Sequence, residues 1–289
     1  QMCIRDRVVH SPVETEVAVV YDTVDGEKAY PLCKIPADPG CNEIQVYTLE
    51  GQESIGNIRY FKERYLEETP VFDAKIPSDE VIDIIIPIYN GLQYFDKLFA
   101  GIEKTKMKYR LILVDDQSPD PAVREYLERY VAEHEGTVLL RNEKNMGFLP
   151  SVNRALAIAE HHVALVNTDV EVPEGWLERL MWPIFTKEKV ASSTPFTTCG
   201  TICSFPNFCE DNVIFEGMPL WQIDDAFRQI RPQYATMPTG IGFCMGMNLE
   251  AIREVGLLDE ENFDKGYGEE NDWCQRAIPV SYTHLTLPT

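Results

Sequence analysis

No apolar run in this 289-residue chain approaches the roughly 20 residues needed to cross a bilayer. The N-terminus also lacks the basic-then-apolar pattern of a secretory signal. These absences predict a cytoplasmic protein without a transmembrane segment and leave room for peripheral association with a membrane. Basic residues are scarce, 26 against 47 acidic, for a formal charge of -21. Such a surface repels a polyanionic backbone, which argues against nucleic-acid binding; a phosphorylated substrate would need a metal or a local cluster of donors. There are eight cysteines but no Cys-x-x-Cys pairing, and Cys33, Cys41, Cys199, Cys203 and Cys209 stand apart, which predicts free thiols in a reducing compartment.

What is present is an ordinary globular composition, 44% hydrophobic and 25% charged, enough for a packed core. The opening QMCIRDR and closing PVSYTHLTLPT carry no helical or strand pattern that joins their neighbours, and they resemble translated adapter sequence. We therefore expect residues 1–7 and 278–289 to be non-native tails. Residues 8–78 read as a β-rich region and linker, with VETEVAVVYD and EIQVYTL as strands and IRYFKERYLEE as a connecting helix.

From residue 79 the pattern changes. VIDIIIPIY is a continuous apolar run of the kind buried on both faces of a parallel sheet. The helix after it puts Leu92, Phe95, Leu98, Phe99 and Ile102 on one side. RLILVDD, TVLLRN and VALVNTD read as further strands, with PAVREYLERYVAEH and FLPSVNRALAIAE as helices between them. In PAVREYLERYVAEH, Val123, Leu127, Tyr130 and Val131 face inward. Strand and helix in alternation predict an α/β fold, a doubly wound, mostly parallel sheet flanked by helices over residues 79–277, beside the small β-rich N-terminal region. Such sheets bind ligands beyond the carboxyl ends of their strands.

The residues at those ends are Pro87, Tyr89 and Asn90 after the first strand, and Asp115 and Asp116 after the second. A carboxylate there can accept hydrogen bonds from a nucleobase N–H or a ribose hydroxyl, although an Asp-rich turn is the plainer alternative. Asn145 and Gly147 lie in a tight loop before a helix N-terminus, where backbone N–H groups can meet a diphosphate. Asn167, Thr168 and Asp169 end the fourth strand, and their oxygens suit a hard cation, Mg²⁺ or Mn²⁺, that bridges diphosphate oxygens. Gly240, Gly242 and Gly246 in PTGIGFCMGMN would let backbone approach a sugar closely. Four tryptophans, Trp176, Trp182, Trp221 and Trp273, are read as packing residues.

In order along the chain, IIIPIYNG, LVDDQSPD, LRNEKNMGFLPSVNRAL and LVNTDVEVPEGWLERL resemble the consecutive signatures of glycosyltransferase family 2, with the GT-A fold. PTGIGFCMGMNLEAIREVGLLDEENF and GYGEENDWCQRA are similar to a bacterial rhamnosyltransferase-like subgroup that builds surface polysaccharide. The resemblance implies an inverting transferase acting on a nucleotide-sugar donor and a saccharide or lipid-linked acceptor. It assigns donor binding to Pro87, Tyr89, Asn90, Asp115, Asn145, Gly147, Asn153, Asn167, Thr168 and Asp169. Asp169 becomes the metal ligand, with Asn167 where many members carry Asp. In GYGEENDWCQRA it makes Glu270 the general base, with Glu269 and Asp272 as rivals. Acidic residues in a helix's first turn are also favoured by the dipole alone. Members usually continue into a segment with a metal-binding His; the resemblance therefore implies a C-terminally truncated domain, and His284 in the tail is not recruited.

A nucleotidyltransferase would want a glycine-rich basic loop after the first strand, and a dehydrogenase a G-x-G-x-x-G there; IIIPIYNG supplies neither. A catalytically incomplete nucleotide-sugar- or carbohydrate-binding module of the same fold is the non-enzymatic alternative.

Overall fold

A computed structural model describes residues 2–4, 7–10, 15–23, 26–35, 45–48, 79–198, 202–205, 211–212, 217–228, 234–263 and 268–287. The expected helix IRYFKERYLEE lies outside them. The chain divides into two units, residues 1–72 with 225–231, and residues 73–224 with 232–289.

In the first unit, β1 (Met2–Ile4), β2 (Arg7–His10) and β5 (Gln45–Thr48) form an antiparallel sheet in the order β1-β2-β5. β3 (Thr15–Thr23) and β4 (Gly26–Ile35) pair antiparallel with each other. The β-rich expectation for this region agrees with these strands.

The second unit is built on an eight-stranded sheet. Its strands are β6 (Val81–Ile88), β7 (Lys108–Asp115), β8 (Val138–Arg141), β9 (His162–Val166), β10 (Val190–Pro195), β11 (Ala235–Met237), β12 (Cys244–Met247) and β13 (Thr283–Leu287). Their order is β11-β13-β10-β12-β9-β6-β7-β8. β6 pairs parallel with both β7 and β9, β7 with β8, and β10 with β13. β12 runs antiparallel to β9 and β10. The helices are α1 (Leu92–Glu103), α2 (Pro121–Glu133), α3 (Phe148–Leu156), α4 (Trp176–Thr186), α5 (Leu220–Arg228), α6 (Leu249–Val255) and α7 (Glu269–Ala277).

The pleat explains the two cores. Ile82, Ile84, Ile86 and Ile88 share one face with buried residues of α1, α2 and α4. Ile85, Ile112 and Val114 share the other with α3, α6 and α7. Both faces are covered, which is why the parallel strands read as unbroken apolar runs. Local chemistry starts the helices where expected: Pro121 opens α2 behind Asp120, whose carboxylate accepts from Ala122 N at 2.9 Å, and Asn248 caps α6 by accepting from Glu250 N at 2.9 Å.

Met2–Ile4 and Thr283–Leu287 are strands where the sequence shows no strand pattern continuous with its neighbours. In β13 the pairing is made by backbone groups with β10 and β11, which no side-chain periodicity announces. Asp83, fully buried, has the look of a functional carboxylate, but its oxygens are taken. Arg110 Nε and Nη2 donate to it at 2.8 Å each, and Glu160 N and His161 N at 2.7 and 3.1 Å. It ties the starts of β6, β7 and β9 together.

His162 Nδ1 accepts from Leu249 N at 3.0 Å, which requires the neutral ring, and burial pushes the imidazole below its ordinary value of 6.5. His284 is shifted the same way by its burial. A depressed imidazole leaves stability whole above the unfolded value and removes it as pH falls below that point, because the unfolded chain binds the proton first. Urea unfolding at about pH 5 should therefore give lower stability than at neutrality, and His162→Asn should flatten the difference. Equal slopes for parent and variant would contradict this.

Candidate active site

The strand order brings three loops together. Asn90, in the left-handed region at φ 60, donates its N–H to Ser118 Oγ at 3.0 Å and accepts from Asp120 N at 3.4 Å through its side chain. Gly91, at φ 83, lies so close to Thr168 that a Cβ would sit 3.3 Å from Thr168 Oγ1. The loops after β6, β7 and β9 are thus interlocked, and Tyr89, 53% exposed, stands open at their edge. Pro87 pairs with Val114 within the sheet.

The acidic pair after β7 divides its work. Asp115 accepts from Ser118 N at 2.9 Å and lies 3.9 Å from Arg141 Nε. Asp116, to which the resemblance assigned no role, accepts from Asn142 Nδ2 at 2.7 Å and from Met146 N and Gly147 N at 2.8 Å each. Met146 N and Gly147 N, in the loop expected to aim backbone N–H groups at a diphosphate, thus point at a carboxylate of the chain itself. A buried carboxylate needs partners, and the loop supplies them. Asn145 itself is exposed.

Asn153 turns away from the other predicted donor-binding residues. Its Nδ2 donates to Leu258 O at 2.8 Å and Glu260 Oε1 at 2.7 Å, and its Oδ1 accepts from Leu258 N at 3.0 Å. It fastens α3 to the turn after α6. α7 is fastened to the same segment by Trp273 Nε1 on Gly256 O at 2.9 Å and by Arg276 on Val255 O and Leu257 O at 2.8 and 2.9 Å.

A cavity of about 370 Å³ opens between these elements. It is lined by Phe148, Leu165, Asn167, Ile241, Gly242, Phe243, Met245, Met247, Leu258, Glu269 and Glu270. The antiparallel course of β12 creates it: the residues entering that strand arrive at the exit of β9, where Asn167 N donates to Phe243 O at 2.9 Å. α7 opens at Gly268, φ 118, and its first turn presents Glu269 and Glu270 to the same space. Gly242 leaves that space open, since a Cβ there would meet Phe148 at 3.9 Å and Glu270 Oε1 at 4.0 Å. Gly240 and Gly246, by contrast, serve packing against Met245 and Ser193.

Two lining oxygens, Asn167 Oδ1 and Glu270 Oε2, are buried without a hydrogen-bond partner. Leaving a buried polar group unsatisfied costs about 1–3 kcal/mol, a cost that a ligand's donor removes. Asp272 is not at the cavity; its carboxylate accepts from Arg276 Nε at 2.7 Å. Asp169 is exposed in the turn two residues beyond Asn167. Among the described residues no three His, Cys, Asp or Glu side chains gather to hold a metal. The donor set at this turn is one exposed carboxylate, Asp169, and one buried amide oxygen, Asn167 Oδ1, both of the oxygen type that a hard cation takes. PTGIGFCMGMN shows its glycines in the sequence but not that Met245 and Met247 line the cavity with Leu165, which follows from the pairing of β12 with β9.

The cysteines that can be described, Cys203, Cys244 and Cys274, are buried free thiols, and burial pushes the first two up to about 11 and about 12. All three agree with the expectation of free thiols. Among the described residues no helix is long and apolar enough to cross a membrane.

Comparison with known proteins bears on the family and the fold. The chain is 26% identical to N-acetylgalactosaminyltransferase 7 of Drosophila melanogaster over 256 residues, 78% of this chain and 43% of that protein. It spans less than half the length of the curated relatives it matches. Among solved structures, GalNAc-T7 with UDP, GalNAc and Mn²⁺ superposes with a TM-score of 0.56 at 16% identity, over 72% of this chain and 42% of that one. The mannosyltransferase PcManGT from Pyrobaculum calidifontis, in complex with GDP-Man and Mn²⁺, gives 0.52 at 16% identity, over 74% and 59%. These likenesses carry the fold, a GT-A sheet flanked by helices. The model for glycosyl transferase family 2 matches residues 83–256, more than half of the chain, and the chain belongs to that family.

Proposed function

We propose that the chain is the donor-binding and catalytic domain of an inverting glycosyltransferase that moves a hexosyl or deoxyhexosyl unit from a nucleotide sugar to a saccharide or lipid-linked saccharide. The setting proposed is cell-surface polysaccharide assembly on the cytoplasmic side. The observation that carries this reading is the shared cavity, in which Glu270 and Asn167 each keep a buried oxygen without a partner.

In the proposed reaction the acceptor hydroxyl donates its hydrogen to Glu270 Oε2. As its oxygen bonds to the anomeric carbon, Glu270 takes the proton and the bond from that carbon to the phosphate oxygen breaks. Attack and departure on opposite faces invert the configuration. Asp169 and Asn167 would hold a divalent cation, Mg²⁺ or Mn²⁺, which when bound offsets the charge gathering on the departing nucleoside diphosphate. Tyr89, Asn90 and Thr168 border the donor at the interlocked loops. The Mn²⁺ and nucleotide ligands of the structural neighbours support a metal-assisted nucleotide-sugar reading.

Calorimetry with UDP-, dTDP- and GDP-sugars, with and without Mn²⁺, tests it. One base should bind, Mn²⁺ should tighten it by about tenfold or more, and Asp169→Ala should remove the metal's increment. Binding by no nucleotide would overturn the reading.

A further inference from the structure

The connection between β11 and β12, residues 238–243, belongs to neither strand, yet it lines the cavity through Ile241, Gly242 and Phe243. Backbone outside a ladder must find its hydrogen-bond partners elsewhere, and here side chains supply most of them. Pro238 O accepts from Gln275 Nε2 at 2.7 Å, Gly240 N donates to Cys274 Sγ at 3.1 Å, and Ile241 N donates to Thr194 Oγ1 at 3.1 Å. At the far end Phe243 O accepts from Asn167 N at 2.9 Å. The segment is thus tied to α7 at its start and to the exit of β9 at its end. Cys274 lies one helical turn beyond Glu270, so the two share a face of α7. A tie that fixes the rotation of that face fixes where the Glu270 carboxylate stands over Gly242, whose Cβ would lie 4.0 Å from Glu270 Oε1.

We infer that Gln275 and Cys274 are positioning residues: by pinning α7 to the 238–243 segment they set the separation between Glu270 and Asn167, which is held at the segment's other end. Neither touches the reacting atoms; both act through Glu270. The inference rests on the assignment of Glu270 as the base and adds to it what holds that base in place.

Single-turnover hydrolysis of UDP-glucose, UDP-N-acetylglucosamine, dTDP-glucose and GDP-mannose with Mn²⁺, water standing in for the acceptor, tests it on the full chain, with donor affinity measured by calorimetry. The Gln275→Ala, Cys274→Ala double variant should lose about 10- to 100-fold in rate and keep donor affinity within about twofold, since a misplacement of about 1 Å costs a rate factor of that order. Gln275 is exposed, so Gln275→Ala alone should fold as the parent does and show part of the loss. Gln275→Lys, which keeps an N–H donor for Pro238 O, should recover most of it. In a Glu270→Gln background the double variant should cost less than about twofold more, because the side chain it displaces no longer takes the proton. Without nucleotide, amide exchange at Gly240 and Ile241 should quicken by about tenfold or more in the double variant. An unchanged rate, unchanged exchange, or an equal loss in the Glu270→Gln background would overturn the inference while the base assignment stood. Full turnover by Glu270→Gln alone, or none by the parent on any of the four donors, would overturn both.

Discussion

Glu270→Gln will lower the rate of sugar transfer by about 100- to 10,000-fold while leaving donor affinity within about twofold of the parent. The exchange keeps size and shape and removes only the capacity to take a proton. Glu270 lines the cavity and holds a buried oxygen without a partner, so nothing in the free protein competes with an acceptor hydroxyl for it. Its two rivals predict different outcomes. Asp272 already accepts from Arg276 at 2.7 Å and stands outside the cavity, so Asp272→Asn should loosen α7 without a loss of that size. Glu269 lines the cavity beside it at 4% exposure; were it the base instead, Glu269→Gln would show the large loss and Glu270→Gln would not. Single-turnover rates on the three variants, with donor affinity measured separately, distinguish chemistry from binding. A Glu270→Gln protein with full turnover would remove the base assignment.

Asp116→Ala will cost about 3 kcal/mol of unfolding free energy, measured by denaturant titration without nucleotide. One carboxylate accepts from Asn142 Nδ2, Met146 N and Gly147 N; its loss removes the partner of Met146 N and Gly147 N in the loop that leads into α3 and leaves Asn142 Nδ2 with Ser151 Oγ alone, at 2.9 Å. Asp115→Ala should cost less, because that side chain takes one backbone N–H at 2.9 Å and a distant guanidinium at 3.9 Å. Equal stability in both variants and the parent would show that the loop does not depend on Asp116.

These two residues mark how far the sequence could be read. The run from VIDIIIPI to VALVNTD announces its strands and helices because each element's apolar pattern is set locally by burial on both faces of one sheet. Phe95, Leu98, Phe99 and Ile102 of α1 are buried as the helical spacing requires. The strand-end residues Asn90, Thr168 and Asn167 come together for the same reason. Contacts that depend on distant segments were not legible. Asn153 meets Leu258 across 105 residues, and nothing in FLPSVNRAL tells whether its amide faces a ligand or a neighbouring turn. β12 enters the sheet antiparallel between β9 and β10, and from that insertion comes the cavity lining by Met245 and Met247. Asp115 and Asp116 are adjacent and alike; only the position of the 142–147 loop makes one of them its anchor.

The most direct test is a crystal structure of the chain with an uncleaved nucleotide sugar and Mn²⁺. The account predicts the sugar ring in the cavity between Asn167 and Glu270, its anomeric carbon facing the Glu270 carboxylate and its diphosphate beside Asp169. A sugar bound elsewhere, with that cavity empty, would contradict it.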